Sequence, residues 1–265
     1  MNLDGCNALI TGASAGIGRE LARQLAGRAV AIVLVARRRE RLEQLRDELR
    51  NRNAQLLVHT HAVDLCDKLQ IDELIGWLSE NEIDIDFLIN NAGLGDMGLF
   101  AASDPRRNEQ ILSVNVVALT TLTRALLPQM ISRKRGAILN VSSSAGFLPI
   151  PGFAVYAATK AYVTSFSEAL RMELGNAGVT VSALCPGPVD TEFQEVAKRP
   201  GGQPESGPEF VHVSVERVVR DALAAIEVDR PLVIPGFVMK LGMFLVRITP
   251  MSILRLASRL LTKRL

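Results

Sequence analysis

Seven short apolar runs punctuate the chain, and between them apolar residues recur at every third or fourth position. NALIT (Asn7 to Thr11), AIVLVA (Ala31 to Ala36), LLVHTHA (Leu56 to Ala62), FLIN (Phe87 to Asn90), AILNV (Ala137 to Val141), VTVSALC (Val179 to Cys185) and PLVIP (Pro231 to Pro235) read as strands. The second is apolar throughout, which suits a strand covered on both faces of a parallel sheet. Helical spacing runs from Glu40 to Arg50, with Leu42, Leu45 and Leu49 on one face, and from Leu69 to Leu78, with Ile71, Leu74, Ile75 and Leu78. Longer helices fit Pro105 to Leu127 and Val155 to Leu174, and Ser214 is placed to cap a helix over Val215 to Ile226. This alternation predicts one α/β domain over residues 1–235, a doubly wound parallel sheet of seven strands with helices on both faces and right-handed crossovers.

Residues 236–265 stand apart as an amphipathic helical extension. Lys240 and Arg247 are seven apart, and Arg255, Arg259 and Lys263 step by four, each set on one helical face among Leu, Met, Phe and Ile. Pro250 after Thr249 suits a helix start. Such a basic amphipathic segment can lie on an anionic membrane surface, pack on a partner subunit, or cover a pocket. A second irregular stretch, KRPGGQPESGP (Lys198 to Pro208), is too rich in Gly and Pro for regular structure. It follows the sixth strand, where ligands of such sheets bind, so residues 192–213 are expected to form a substrate lid or, more plainly, a surface loop.

Composition narrows the partners. Thirty basic residues against 28 acidic give a net charge of +2, with no basic excess for nucleic acid. Cys6, Cys66 and Cys185 are odd in number, widely spaced and match no metal pattern, which fits a reducing, cytoplasmic compartment. No secretory signal is recognised at the start, and no apolar run reaches the roughly 18 residues of a membrane span. His59 and His61 share a strand face without a third ligand, so no metal is expected; His212 lies near the lid, and Trp77 reads as helix packing.

The first strand runs into TGASAGIG (Thr11 to Gly18) and a helix. Gly12, Gly16 and Gly18 let a backbone turn tightly and approach a pyrophosphate at the helix N-terminus. The spacing G-x-x-x-G-x-G resembles that of the short-chain dehydrogenase/reductase family. VDL (Val63 to Leu65), NNAG (Asn90 to Gly93), Asn115, SSS (Ser142 to Ser144), YAATK (Tyr156 to Lys160) and PGPVDT (Pro186 to Thr191) follow in the family's order. The resemblance covers roughly Leu3 to Glu192 and implies a Rossmann-like fold, a dimer or tetramer, and hydride transfer between a nicotinamide and a carbonyl or alcohol.

By that resemblance the glycine loop, with Ser14 and Ile17, holds the pyrophosphate. Asp64 and Leu65 meet the adenine, Asn91 and Gly93 flank its ribose, and Pro186, Gly187, Val189 and Thr191 orient the nicotinamide. NAD enzymes place a carboxylate at the end of the second strand; here Ala36 is followed by Arg37, Arg38 and Arg39. Arg37 is positioned to grip a 2′-phosphate, which implies NADP(H), while Arg38 and Arg39 fit a solvated helix start. Ala15 stands where many NADP-preferring relatives carry a basic residue.

The resemblance makes Tyr156 the acid/base and gives Lys160, four residues on, two tasks: lowering the phenol pKa and binding the nicotinamide ribose. Ser143, thirteen residues before the tyrosine, would hold the substrate oxygen, with Ser142 and Ser144 as alternatives. Asn115 would hold a water of the proton relay. Phe147, Leu148, Ile150 and Phe153 border the pocket of such a relative, with Phe147 and Phe153 the candidate substrate contacts. An apolar substrate follows (acyl chain, steroid-like ketone or aromatic carbonyl), unless these residues are loop packing. A 3-oxoacyl thioester reductase is one variant of this reading. A non-catalytic NADP(H)-binding regulator or a membrane-surface scaffold would be proteins of another class.

Overall fold

The computed structural model describes residues 1–199 and 212–255. Seven strands, β1 (Asn7–Thr11), β2 (Ala31–Ala36), β3 (Leu57–Ala62), β4 (Phe87–Asn90), β5 (Gly136–Val141), β6 (Val179–Leu184) and β7 (Leu232–Val233), form one sheet in the order β3-β2-β1-β4-β5-β6-β7. Every pairing is parallel. The last strand keeps only two residues of the expected run. Pro231 and Pro235, which frame that run, have no N–H for a ladder.

Helices α1 (Gly16–Leu25), α2 (Arg39–Arg52), α3 (Lys68–Glu80), α4 (Pro105–Leu112), α5 (Leu119–Ser132), α6 (Ala154–Leu174), α7 (Phe193–Ala197), α8 (Val215–Glu227) and α9 (Phe237–Ile248) lie between and after the strands. Asp67, Asp104 and Ser214 cap α3, α4 and α8 with side-chain acceptors, as polar residues at such junctions do. The long helix expected from Pro105 is broken by one π-helical stretch, Ser113–Ala118, before α5 continues past Leu127. α7 was not foreseen.

Alternation within each strand divides the core. Ile10, Ile32, Leu34, Phe87 and Ile89 face α1, α2 and α8 through Leu21, Leu45 and Val219. Leu9, Val33, Val35 and Leu88 face the other layer through Leu74, Leu122, Met130 and Leu170. Fully covered faces explain why β2 carries no polar residue. Pro105–Ser132 is, among the described residues, the one helical stretch long and apolar enough to cross a membrane. Its Ile111, Leu122, Leu126 and Met130 lie instead in the sheet-facing core. The order reverses between β1 and β4, which opens a crevice at the strands' C-terminal ends.

Candidate active site

That crevice is a cavity of about 450 Å³, and the glycine loop forms one wall. Gly12 and Gly16 hold φ of +66° and +53°. A Cβ on Gly12 would lie 2.8 Å from Asn91 Nδ2, and one on Gly18 would lie 2.4 Å from the same atom. Asn91 is fixed there because its Nδ2 donates to the carbonyls of Thr11 (2.8 Å) and Gly12 (3.3 Å). No side chain caps α1, whose first residues Gly16 and Ile17 line the cavity. Uncapped N–H groups and a backbone stripped of Cβ atoms suit a pyrophosphate, so the residues present fit a dinucleotide. Ser14, Asp64, Leu65, Gly93, Pro186, Gly187, Val189 and Thr191 line the same space.

At the far end of the loop, Arg37 and Arg38 both border the cavity. Arg38 is exposed at the start of α2, as expected, and also makes contacts that the sequence did not suggest. Its Nε and Nη2 donate to Ser14 Oγ at 3.2 and 3.0 Å, and its Nη1 donates to Glu192 Oε2 at 2.7 Å. Arg41 holds the other Glu192 oxygen at 2.5 Å, and the two arginines pull that carboxylate below its usual range. Arg39 begins α2 and is exposed, as expected.

Tyr156 and Lys160 sit one turn apart on α6, both buried at 7% and 4% exposure and both lining the cavity. Ser143 lines the cavity with them and draws the Tyr156 phenol pKa downward, while its Oγ accepts from the Ala145 N–H at 3.1 Å. Ser142, by contrast, turns away: its Oγ donates to the Lys160 carbonyl (2.8 Å) and lies 2.7 Å from Thr164 Oγ1. Ser144 lines the cavity but its N–H is tied to the Pro186 carbonyl at 2.9 Å. Of the three serines, Ser143 is the one whose hydroxyl acts on the phenol.

Burial is the first influence on the ionisation of both groups. It pushes the Tyr156 phenol up to about 12, only partly offset by Ser143. Burial likewise brings the Lys160 ammonium down to about 8. Both charged forms are penalised by the same loss of water. Lys160 Nζ stands 5.6 Å from the centre of the Tyr156 ring and donates to the Val141 carbonyl at 2.7 Å.

Asn115 lies in the π-helical stretch and is 1% exposed. Its Oδ1 accepts from the Leu94 N–H (2.8 Å), and its Nδ2 donates to the Leu94 carbonyl (3.0 Å) and Thr159 Oγ1 (2.9 Å). Both amide protons are engaged, so the side chain ties the loop after β4 to the helices and keeps a single Oδ1 lone pair for a water.

Phe153 stacks on Tyr156 at 4.3 Å and borders the cavity as expected. Phe147 does not line it; that ring lies 5.9 Å beneath the Arg247 guanidinium of α9. Sequence reasoning missed Phe193 on α7, 5.2 Å from the Tyr156 ring, together with Met97 and Val196. The signal was available in the apolar Phe193 and Val196 of the expected lid. Arg107 braces α7 by donating to the carbonyls of Gly95 (2.8 Å) and Val196 (3.1 Å). Arg199 grips Asp96 through two bonds of 2.9 and 2.6 Å. Residues 200–211 of the expected lid lie outside the described residues.

Among the described residues no group of three metal-ligating side chains forms. His59 and His61 flank Trp77 at 5.2 and 4.1 Å between ring centres. His212 Nδ1 lies 3.0 Å from Asp190 Oδ1.

A parallel doubly wound sheet, an uncapped glycine turn at its switch point and a buried tyrosine–lysine pair beside it define a dinucleotide-dependent oxidoreductase. The family model described as short chain dehydrogenase matches residues 6–200, and the chain belongs to that family. It is 42% identical over 195 residues to a sulfoacetaldehyde reductase of Chromohalobacter salexigens, covering 73% of this chain and 75% of the relative. It is 37% identical over 191 residues to the NADP-dependent 3-hydroxy acid dehydrogenase YdfG of Escherichia coli, covering 71% and 75%. A short-chain dehydrogenase from Sphingobium yanoikuyae in complex with NADPH superposes with a TM-score of 0.80 at 33% identity, over 88% of both chains. As a member of this family the protein is an enzyme acting between alcohol and carbonyl groups.

Proposed function

We propose that the enzyme reduces an apolar ketone or aldehyde with NADPH, Tyr156 supplying the proton. The observation that carries this is the buried Tyr156–Lys160 pair, one helical turn apart, facing with Ser143 into the cavity bounded by the glycine loop. A phenol held near 12 is fully protonated at neutral pH, which suits a donor to the oxygen of a carbonyl under reduction. Ser143 orients that oxygen beside the phenol. Lys160 binds ribose hydroxyls and, with a water on Asn115, restores the proton. When bound, the nicotinamide supplies the hydride. Arg37 and Arg38, with Ser14, hold the 2′-phosphate, a reading supported by relatives named for NADP or solved with NADPH.

The substrate end of the cavity argues for an apolar compound. Leu94, Met97, Phe153, Phe193 and Val196 line it. The two nearby arginines are committed, Arg107 to backbone carbonyls and Arg199 to Asp96. A bulky ketone or a 3-oxoacyl thioester fits, and a solved relative is named as a bulky-bulky ketone specific alcohol dehydrogenase from Comamonas testosteroni. A purely regulatory role on this fold is disfavoured, since all four relay residues are present.

Three unpaired cysteines, two of them buried, support a reducing compartment. Exposed Leu112, Val117 and Tyr162 on the α4–α5 and α6 faces support a homo-oligomer. NADPH oxidation measured against ketones, aldehydes and acyl thioesters tests the whole reading. Tyr156→Phe should lower kcat by about 10²–10⁴-fold and leave NADPH affinity, read by fluorescence titration, within a few-fold. Turnover near wild type would refute the assignment.

A further inference from the structure

α9 begins after Gly236 and buries none of its twelve residues. Phe237, Leu241, Phe244 and Ile248 fall at i, i+4, i+7 and i+11, one stripe along the helix, with Val238 and Leu245 on its shoulder. All six are about half exposed or more, and Phe237 reaches 77%. The opposite face holds the helix to the protein, with Met239 against Gly187, while the exposed Arg247 on the flank passes over Phe147. The outward face is therefore apolar by sequence and without cover among the described residues.

Charge identifies what it meets. From Arg230 to the C-terminus the chain has seven lysines and arginines and no aspartate or glutamate. All 28 acidic residues lie upstream, beside 23 basic ones. Lys240, Arg247 and Arg255 are exposed along this segment. A second copy docking α9 on α9 would set cations against cations. An anionic phospholipid surface would match both parts, taking the apolar stripe at its acyl boundary and the cations at its headgroups. A helix of this length measures about 18 Å, too short for a hydrocarbon core of about 30 Å, so it would lie in the plane of the surface.

We infer that α9 is a docking face for anionic membranes. Its contact with Gly187, which lines the cavity, puts the docked surface beside the active site. Delivery of an apolar substrate from the bilayer then follows, and that clause alone rests on the reductase reading above.

The test is sedimentation of the purified full chain with vesicles of phosphatidylcholine alone or mixed with phosphatidylglycerol. Binding should appear only with phosphatidylglycerol and weaken with added salt. Lys240→Glu with Arg247→Glu, and separately Phe237→Asp with Phe244→Asp, should each lower partitioning at least about tenfold. Neither Phe237 nor Phe244 lines the cavity, so NADPH binding and turnover in solution report that the variants are folded. Equal sedimentation with both vesicles, or unaltered binding by either variant, overturns the inference. So does a concentration-dependent dimer that Phe237→Asp with Phe244→Asp dissolves without any lipid binding, since the face would then belong to a second copy.

Discussion

Charge at two residues sets measurable consequences. The Lys160 ammonium is held at about 8 against an ordinary 10.5 by burial. Between those values the unfolded chain carries the proton and the folded one does not, so stability rises with pH across that window. Below pH 8 the penalty is complete, at about 3 kcal/mol. Lys160→Met removes this titration but also leaves the Val141 carbonyl unpaired, so the expected signature is the pH trend: wild type should gain stability relative to the variant between pH 7 and pH 10. A stability difference constant with pH would contradict the burial effect. Tyr156 does not interfere, because its raised value alters stability only above about pH 10. Arg37→Asp should invert the NADPH/NADH ratio of kcat/KM, whereas an unchanged ratio would leave Arg38 and Ser14 as the phosphate site. The family resemblance pointed to Tyr156, Lys160 and Ser143, but the influence of burial on their titration depends on how much water the fold removes. The added contact of Arg38 escaped for a related reason: its reach to Ser14 crosses from one βα turn to another.

Elements were legible wherever periodicity was strong. All five helices delimited from the pattern end within a few residues of their observed limits, and the strands within one or two, β7 excepted. Two features escaped. The π-helical turn at Ser113–Ala118 follows from the fit of Asn115 against the loop after β4, a tertiary contact invisible to a 3.6-residue pattern. α7 is only five residues long and depends on braces from outside its own segment. Arg107 is such a brace, so Arg107→Ala should free α7 from the loop after β4. The expected result is a several-fold rise in substrate KM and faster limited proteolysis near Val196, with kcat less affected. Unaltered proteolysis would show that the Arg199–Asp96 pair and the Met97–Lys198 bridge suffice.

For the whole molecule, the sheet order concentrates every functional wall at one edge, since each parallel strand delivers its following loop to the same side. That is why motifs scattered from Gly12 to Thr191 line a single cavity. Alternating apolar runs were enough to announce this architecture. Which of the charged tail's three possible neighbours it meets was not, because amphipathic spacing describes a face and not its partner. One further property belongs to the molecule as a unit. Trp77 is its sole tryptophan, and it leans on the rings of His59 and His61, both of which lose protons more readily than a free imidazole because of burial. An imidazolium accepts an electron from an excited indole, so emission should dim on acidification below pH 6.5 and do so less in His61→Gln. The edge strand thereby equips the enzyme with an optical gauge of acidity, readable without any dye.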